Sequence, residues 1–182
     1  AAPSVLGFDD GKGALTIIQR GGSPFVRARH EDAPTRRRFT GLEYWPTARD
    51  WQVDAEFVPA APGATLPIAN ILGMVEDTPT PGAVIFEREG TRYTLQAIEG
   101  GDGTLFLIFA DRTSGHGSYS AGRYLDAPAP GADGRLQIDF NRAYNPPCAF
   151  TAFATCPLPP DGNRLDLAVP AGEKTYIPAT TV

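Results

Sequence analysis

The chain has 182 residues, 42% hydrophobic and 20% charged, an ordinary globular composition at a length that suits one domain over residues 1–182. Sixteen Lys and Arg against 21 Asp and Glu give a net charge of −5, and residues 61–182 carry the excess acid, so the basic stripe that nucleic-acid binding needs is missing and no nucleic-acid partner is expected. No apolar run reaches the 18 residues of a membrane-spanning helix, so no membrane partner is expected either.

Glycine (20) and proline (18) together make about a fifth of the chain, above the roughly 12% of average proteins. Their dispersal fits many short strands joined by tight turns. No signal peptide is visible, so the cytoplasm is the expected compartment, with export left open.

Ala14–Arg20 is strand-like and ends at Gly21-Gly22, a hairpin signal. Pro24–Arg29 alternates again. Pro34–Phe39 allows a short helical turn, and its Arg36-Arg37-Arg38 run reads as a solvated edge strand or an anion clamp. Trp51–Val58 alternates cleanly, with Trp51, Val53, Ala55 and Phe57 on one face, as in a half-buried antiparallel strand. Ala83–Arg88 and Thr91–Ile98 flank Glu89-Gly90 as a second hairpin.

Thr104–Ala110 is apolar throughout, which predicts burial on both faces. Ser118–Leu125 and Arg135–Phe140 follow, the latter entered through an Asp133-Gly134 turn, with Ala127–Gly134 as a plain surface connector. Arg164–Val169 alternates, and Thr175–Ile177 is expected to close the sheet. About ten mostly antiparallel strands at roughly ten-residue spacing predict an all-β barrel or barrel-like sandwich with one long proline-rich ordered loop.

That loop, Asp139–Leu165, contains Pro146, Pro147, Pro157, Pro159 and Pro160 and both cysteines. Proline removes amide donors and fixes φ, so the segment is neither helix nor central strand. Long ordered loops usually carry function. Cys148 and Cys156 admit three readings. They are buried structural thiols, or a disulfide adding roughly 2–3 kcal/mol, or part of a metal site with His116. His30 and His116 are the two histidines of the chain, and neither stands at finger spacing. No metal and no cofactor are expected.

Asp111–Arg123 (D-R-T-S-G-H-G-S-Y-S-A-G-R) gathers an acid, hydroxyls, an imidazole and an arginine in one hairpin. Ser118, His116 and Asp111 have the residue types of a nucleophilic triad, but the G-x-S-x-G elbow is missing. The structural alternative is a polar hairpin held by Asp and Thr caps. At the loop's entrance, Asp139 and Asn141 share one strand face opposite Phe140, followed by Tyr144 and Asn145. At its exit stand Asn163 and Arg164. Such groups either satisfy the loop's own backbone or line a pocket with Arg123 and Tyr119.

Three blocks carry a family resemblance. They are R-R-F-T-G-L-E-Y-W-P at Arg37–Pro46 with the strand Trp51–Phe57; F-A-D-R-T-S-G-H-G-S-Y-S-A-G-R-Y-L at Phe109–Leu125; and the proline loop continuing through Asn163-Arg164-Leu165 to A-G-E-K at Ala171–Lys174. With these the chain resembles the bacterial domain-of-unknown-function family numbered 1684, over about residues 14–178. The resemblance implies a conserved core of Asp111, Thr113, Gly115, Tyr119, Gly122, Arg123, Asp139, Asn141, Tyr144, Asn145, Cys148, Cys156, Asn163 and Glu173. It implies no reaction. Relatives often read T-Y-G-G-G-R or T-Y-G-A-G-R where this chain has Ser118-Tyr119-Ser120-Ala121-Gly122-Arg123.

Two functional expectations compete. The first is a small-molecule-binding domain for an anionic ligand, its residues leaving open whether it is a cofactor-independent enzyme. Asp111, Tyr119 and Asp139 are its catalytic candidates. Thr113, Arg123, Asn141, Tyr144, Asn145, Asn163 and Arg164 are its ligand-binding candidates, with Arg123 as the anion holder. The alternative is a noncatalytic structural or protein-interaction domain in which these residues brace the proline loop. The metal site of His116 with Cys148 and Cys156 is a third reading.

Overall fold

The computed structural model describes residues 4–20 and 22–178, with Arg20 and Asp102 described by their backbones only. Strand accounts for 45% and helix for 10%, so the all-β expectation holds. No helix among the described residues is long and apolar enough to cross a membrane. The contacts cluster into two compact units. One runs up to Gly41 and includes the end from Ile177; the other is Leu42–Tyr176.

The smaller unit is an antiparallel sheet of β1 (Val5–Phe8), β2 (Gly13–Arg20) and β3 (Ser23–His30) in that order. Arg20 pairs with Ser23, as expected for the second and third strands. Gly21, half of the expected turn, lies outside the described residues, and Gly22 has φ +77°. The short helix α1 (Pro34–Arg37) follows. Arg36–Arg38 therefore belongs to a helical turn and not to the expected edge strand. Pro34 at its start explains this, since its fixed φ suits the first helical position. The Arg37 guanidinium lies 2.7 Å from Asp32 and, as the largest cause, holds that carboxyl below its ordinary range.

The larger unit is built on a six-stranded sheet. Its strands are β4 (Gln52–Pro59), β7 (Gly82–Arg88), β8 (Thr91–Glu99), β9 (Leu105–Phe109), β10 (Arg123–Ala127) and β11 (Arg135–Asp139). The spatial order is β10-β9-β8-β7-β4-β11, with every neighbouring pair antiparallel. A hairpin of β5 (Thr65–Ala69) and β6 (Val75–Pro79) is inserted between β4 and β7. The two edge strands β10 and β11 are consecutive in sequence, joined only by residues 128–134. So short a connector spans both edges of one sheet only if the sheet curls, and it does, into a half-barrel.

The concave face holds the core. Phe140 is fully buried and meets Trp51, Phe86 and Phe109 at ring-centroid distances of 6.1, 5.5 and 5.5 Å. Burying an aromatic side chain of this size contributes about 1.5–3 kcal/mol. The expected face of β4 is confirmed, with Trp51, Val53 and Ala55 buried and Gln52, Asp54 and Glu56 exposed.

The open side of the half-barrel is filled by an extended segment. Leu165, Leu167, Val169 and Ala171 are buried in the core while Arg164, Asp166 and Ala168 are exposed. The alternation seen in the sequence is real, but Arg164–Val169 is not a strand of the sheet. It joins the fold through single ties, such as the parallel bridge Ala110–Arg164. Two other expectations fail on strand extent. Residues 118–122 form no strand: Ser118 makes only an isolated bridge to Ser114, Ser120 and Ala121 turn, and the strand begins at Arg123. Gly122 explains this, because its φ of +102° breaks an extended run. Thr175–Ile177 forms no strand.

β9 is buried on both faces, as its composition predicted. Leu105, Leu107 and Phe109 point into the core. Ile108 and Phe106 pack on the opposite side with Tyr124, Tyr144, Cys148 and Cys156. The proline loop therefore lies over the outer face of the β8–β9–β10 region, containing 3₁₀ turns at Phe140–Arg142, Pro147–Ala149 and Asp161–Asn163.

Candidate functional site

Asp111 stands two residues past the end of β9 and Arg123 opens β10. The antiparallel register sets Arg123 opposite Phe109, so the chain leaves one strand and re-enters its neighbour at the same level. Both side chains are completely buried and their charged groups lie 2.9 Å apart. Burial pulls the Arg123 guanidinium's pKa down, and Asp111 and then Glu173 push it back up.

A buried ion pair is favourable only where its remaining donors and acceptors are satisfied. Here they nearly all are. Arg123 Nη2 donates to Asp111 Oδ2 and to the Val169 carbonyl, each at 2.9 Å. Its Nη1 donates to the carbonyls of Ala171 and Glu173. All four terminal N–H groups are thereby occupied, and only the buried Nε has no partner. The Phe109 ring stands 5.3 Å from the guanidinium carbon.

Asp111 Oδ1 accepts from the Thr113 amide (2.7 Å), the Thr113 hydroxyl (2.6 Å) and the Val169 amide (3.1 Å). Thr113 Oγ1 and Ser118 Oγ are 2.7 Å apart, and Trp45 Nε1 donates to Ser118 Oγ at 3.1 Å. Each hydroxyl has one proton and a carboxylate can only accept. The chain therefore runs one way: Trp45 to Ser118, Ser118 to Thr113, Thr113 to Asp111. Ser118 is fully buried. His116 is exposed with its ring beside the Ser114 carbonyl at 3.3 Å. Among the described residues no base bonds Ser118, so the triad reading fails.

The remaining candidates fall into separate places. Asn163 is fully buried between β8 and β9. Its carboxamide exchanges hydrogen bonds with Gln96 N (2.7 Å) and Gln96 O (2.9 Å), and donates to Ile108 O (2.8 Å). Arg164, next in sequence, is exposed. Asp139 Oδ1 accepts from the amide and the carboxamide of Asn141 at 3.0 and 2.8 Å, and Asn141 grips the backbone of Ala48 at both its N–H and its C=O. The two share no strand face, because Asn141 lies in the 3₁₀ turn that follows β11. Neither Asp139 nor Asn141 joins the Arg123 cluster.

Tyr119 donates to the Cys148 carbonyl at 3.2 Å, and burial, with Cys148 adding to it, pushes its hydroxyl up to about 12. Tyr144 donates to Asp126 at 3.0 Å and is pushed up to about 12, chiefly by burial and then by that carboxylate. Asn145 is tied by its amide to Glu173 Oε2 and by its side chain to the Lys174 carbonyl, each at 2.7 Å. Its buried Oδ1 has no partner.

Among the described residues no three His, Cys, Asp or Glu side chains come together in a way that could hold a metal ion. The alternative grouping of His116 with Cys148 and Cys156 is thus not assembled. Exposed His116 turns to its own hairpin, while the cysteines sit in the apolar layer under the loop.

Residues 37–174 match the family described as "Protein of unknown function (DUF1684)". The chain belongs to that family. The matched stretch coincides closely with the larger compact unit, so the family's shared part is the half-barrel with its loop and plug segment. The chain is also similar to the solution NMR structure of an uncharacterized protein of Haloarcula marismortui, at 32% identity, a TM-score of 0.62, and coverage of 78% of this chain and 80% of that one. No curated protein matches.

Of the candidate residues, Asp111, Thr113 and Arg123 come together, whereas Tyr119, Asp139, Asn141, Tyr144, Asn163 and Arg164 stand elsewhere. The roles of Trp45 and Ser118 in the hydrogen-bond chain, and of the carbonyls at 169, 171 and 173 as Arg123's main partners, carry no signal in the sequence. Any residue type offers a carbonyl, so no composition signal marks them.

Proposed function

We propose that the unit Leu42–Tyr176 is a noncatalytic structural domain in which the buried polar residues brace the extended segment 163–174 and the proline loop. The loop's outer face is then the surface it presents to a protein partner. One observation carries the reading. All four terminal N–H groups of Arg123 are taken by Asp111 and three carbonyls, in a side chain with no solvent exposure. A guanidinium so engaged has no fork left for a carboxylate or phosphate. Tyr119 and Tyr144 are held protonated well above neutral pH, which suits hydrogen-bond donors better than bases.

The braces converge on the loop. Tyr119 holds its Cys148 end, Tyr124 donates to Pro157 O at 3.0 Å, and the Ile71 amide donates to Cys156 O at 3.0 Å. Between these ties Phe153 is 96% exposed, and Ile71 and Leu72, in the turn between β5 and β6, are exposed as well. Exposed large apolar groups on an anchored loop favour a protein partner over a small polar ligand.

The test is a thermal-shift titration with phosphate, sulfate and small mono- and dicarboxylates, run on the wild type, Asp111→Asn and Phe153→Ser. The bracing reading expects no saturable anion shift, a large loss of melting temperature in Asp111→Asn and almost none in Phe153→Ser. Saturable stabilisation by an anion that Asp111→Asn abolishes without unfolding the protein would instead establish the small-molecule reading.

A further inference from the structure

We propose that Cys148 and Cys156 form a reversible redox site, two free thiols that a peroxide converts into an intramolecular disulfide across the base of the loop containing Phe153. The inference is independent of what that loop binds.

The placement of the two residues carries it. The Cys148 amide donates to Cys156 Sγ at 3.1 Å. The sulfur of one cysteine therefore already sits against the backbone from which the other's short side chain springs. Both thiols are free and lie in one apolar cluster with Tyr124 and Ile108. Their backbones are held in place from outside the loop. Tyr119 Oη holds Cys148 O, while the Ile71 amide holds Cys156 O and Leu158 N donates to Ala69 O at 2.8 Å. Pro147 before the first cysteine and Pro157 after the second restrict the backbone at both ends. A disulfide needs its two Cα atoms close and its Cβ vectors convergent, and these ties hold the loop ends together before any bond forms.

Access differs between the two thiols and sets the order of events. Cys148 is half-buried and Cys156 is 4% exposed. Burial, with Cys148 adding to it, lifts the Cys156 thiol to about 11, so at neutral pH it remains protonated and is a poor first attacker. Cys148, the more accessible thiol, gives up its proton and attacks one peroxide oxygen. The O–O bond breaks, the departing hydroxide takes up a proton as water, and Cys148 becomes a sulfenic acid. The Cys156 sulfur then attacks the Cys148 sulfur. The S–O bond breaks, and the hydroxide leaves as water with the Cys156 thiol proton. Two thiols and one hydrogen peroxide give one disulfide and two waters, and an external dithiol reverses the change by exchange. The product closes residues 149–155 into a covalent ring and removes freedom from the segment presenting Phe153.

The full chain is reduced, freed of reductant and treated with hydrogen peroxide. Trypsin cuts after Arg142 and Arg164 and leaves both cysteines in one peptide, Ala143–Arg164. The expected peptide is lighter by two hydrogen atoms, resists iodoacetamide and regains both thiols with dithiothreitol. Chymotryptic cleavage after Phe153 in the oxidised protein is slowed several-fold. In Cys156→Ser, Cys148 accumulates sulfenic acid that dimedone traps; in Cys148→Ser, Cys156 stays unmodified. Oxidation of Met74 to its sulfoxide shows that the oxidant was active. Two alkylatable thiols in protein whose Met74 is oxidised overturn the proposal. So do cross-links between chains alone, or a sulfinic acid at Cys148 without the internal bond.

Discussion

The side chain of Asn163 pairs with the backbone of Gln96 at both its N–H and its C=O, at 2.7 and 2.9 Å. The ladder between β8 and β9 has its last pair at Ala97–Leu107. Continuing it would set Gln96 against Ile108, and at that level the Asn163 carboxamide takes the place of a neighbouring strand, reaching Ile108 O as well. The half-barrel thus opens one seam between adjacent strands and seals it with a side chain from the far end of the proline loop.

Asn163→Ala leaves Gln96 N, Gln96 O and Ile108 O without these partners. Each unsatisfied buried group costs about 1–3 kcal/mol, so we expect a loss of about 3 kcal/mol or more in urea unfolding. Asn163→Asp keeps the acceptor but turns a carboxylate toward two carbonyls, and should be no milder. A loss under 1 kcal/mol in both variants would mean that water replaces the carboxamide easily. Arg164→Ala, at the exposed neighbouring position, is the control and should stay within about 0.5 kcal/mol of wild type.

The Asp111–Arg123 pair should behave as a unit. Removing one member of a buried pair costs about 3–5 kcal/mol, because the survivor is left charged and unpaired. Arg123→Met and Asp111→Asn are each expected in that range, and the double variant is expected to cost clearly less than their sum. Additive losses would show that Arg123's carbonyl bonds, and not the ion pair, dominate.

The strands were legible wherever one face meets the core and the other meets water, as in β4, or where both faces are apolar, as in β9. Leu165–Ala171 shows what alternation leaves out. A period of two says that the chain is extended and which side is buried, but it does not name the partner, and this segment crosses the open side of the sheet. β5 and β6 are hidden in the sequence because Pro67, Pro79 and the acidic pair Glu76-Asp77 are poor strand signals. At the site, the residue types of Asp111, Thr113 and Arg123 were readable. The gathering of Arg123 onto the carbonyls of Val169, Ala171 and Glu173 was not, since it depends on the path of a segment about 50 residues away.

Gly172 makes that path possible. Its φ is +76°, and a Cβ placed there would lie 2.4 Å from Ala143 O and 2.9 Å from Phe140 O. Gly172→Ala is therefore strained in its own backbone and clashes with a backbone oxygen that cannot swing aside. We expect destabilisation well above 1 kcal/mol, with local opening of segment 169–174 visible as faster amide exchange of Val169, whose N–H bonds Asp111. Unchanged exchange at Val169 would mean that the segment is anchored elsewhere.

The alkaline limb of stability should be steep, because several buried or half-buried groups prefer their protonated forms, Cys156, Tyr119 and Tyr144 among them. Cys156 is raised from 9.0 to about 11, and Tyr119 and Tyr144 from 10.0 to about 12, with burial the largest cause in each. A folded-state pKa above the unfolded value means that the native state binds more protons at high pH, so stability falls there as pH rises. The contribution is intact below pH 9 and is lost progressively between pH 9 and 12. Melting temperatures across this range should fall in the wild type. They should fall less steeply in Cys156→Ala, whose removal takes the lowest of the three titrations out of the window, and in Tyr119→Phe, which loses the Cys148 carbonyl bond at every pH but no longer titrates. A Tyr119→Phe profile parallel to the wild type throughout would show that this hydroxyl ionises as freely in the folded protein as in the unfolded chain.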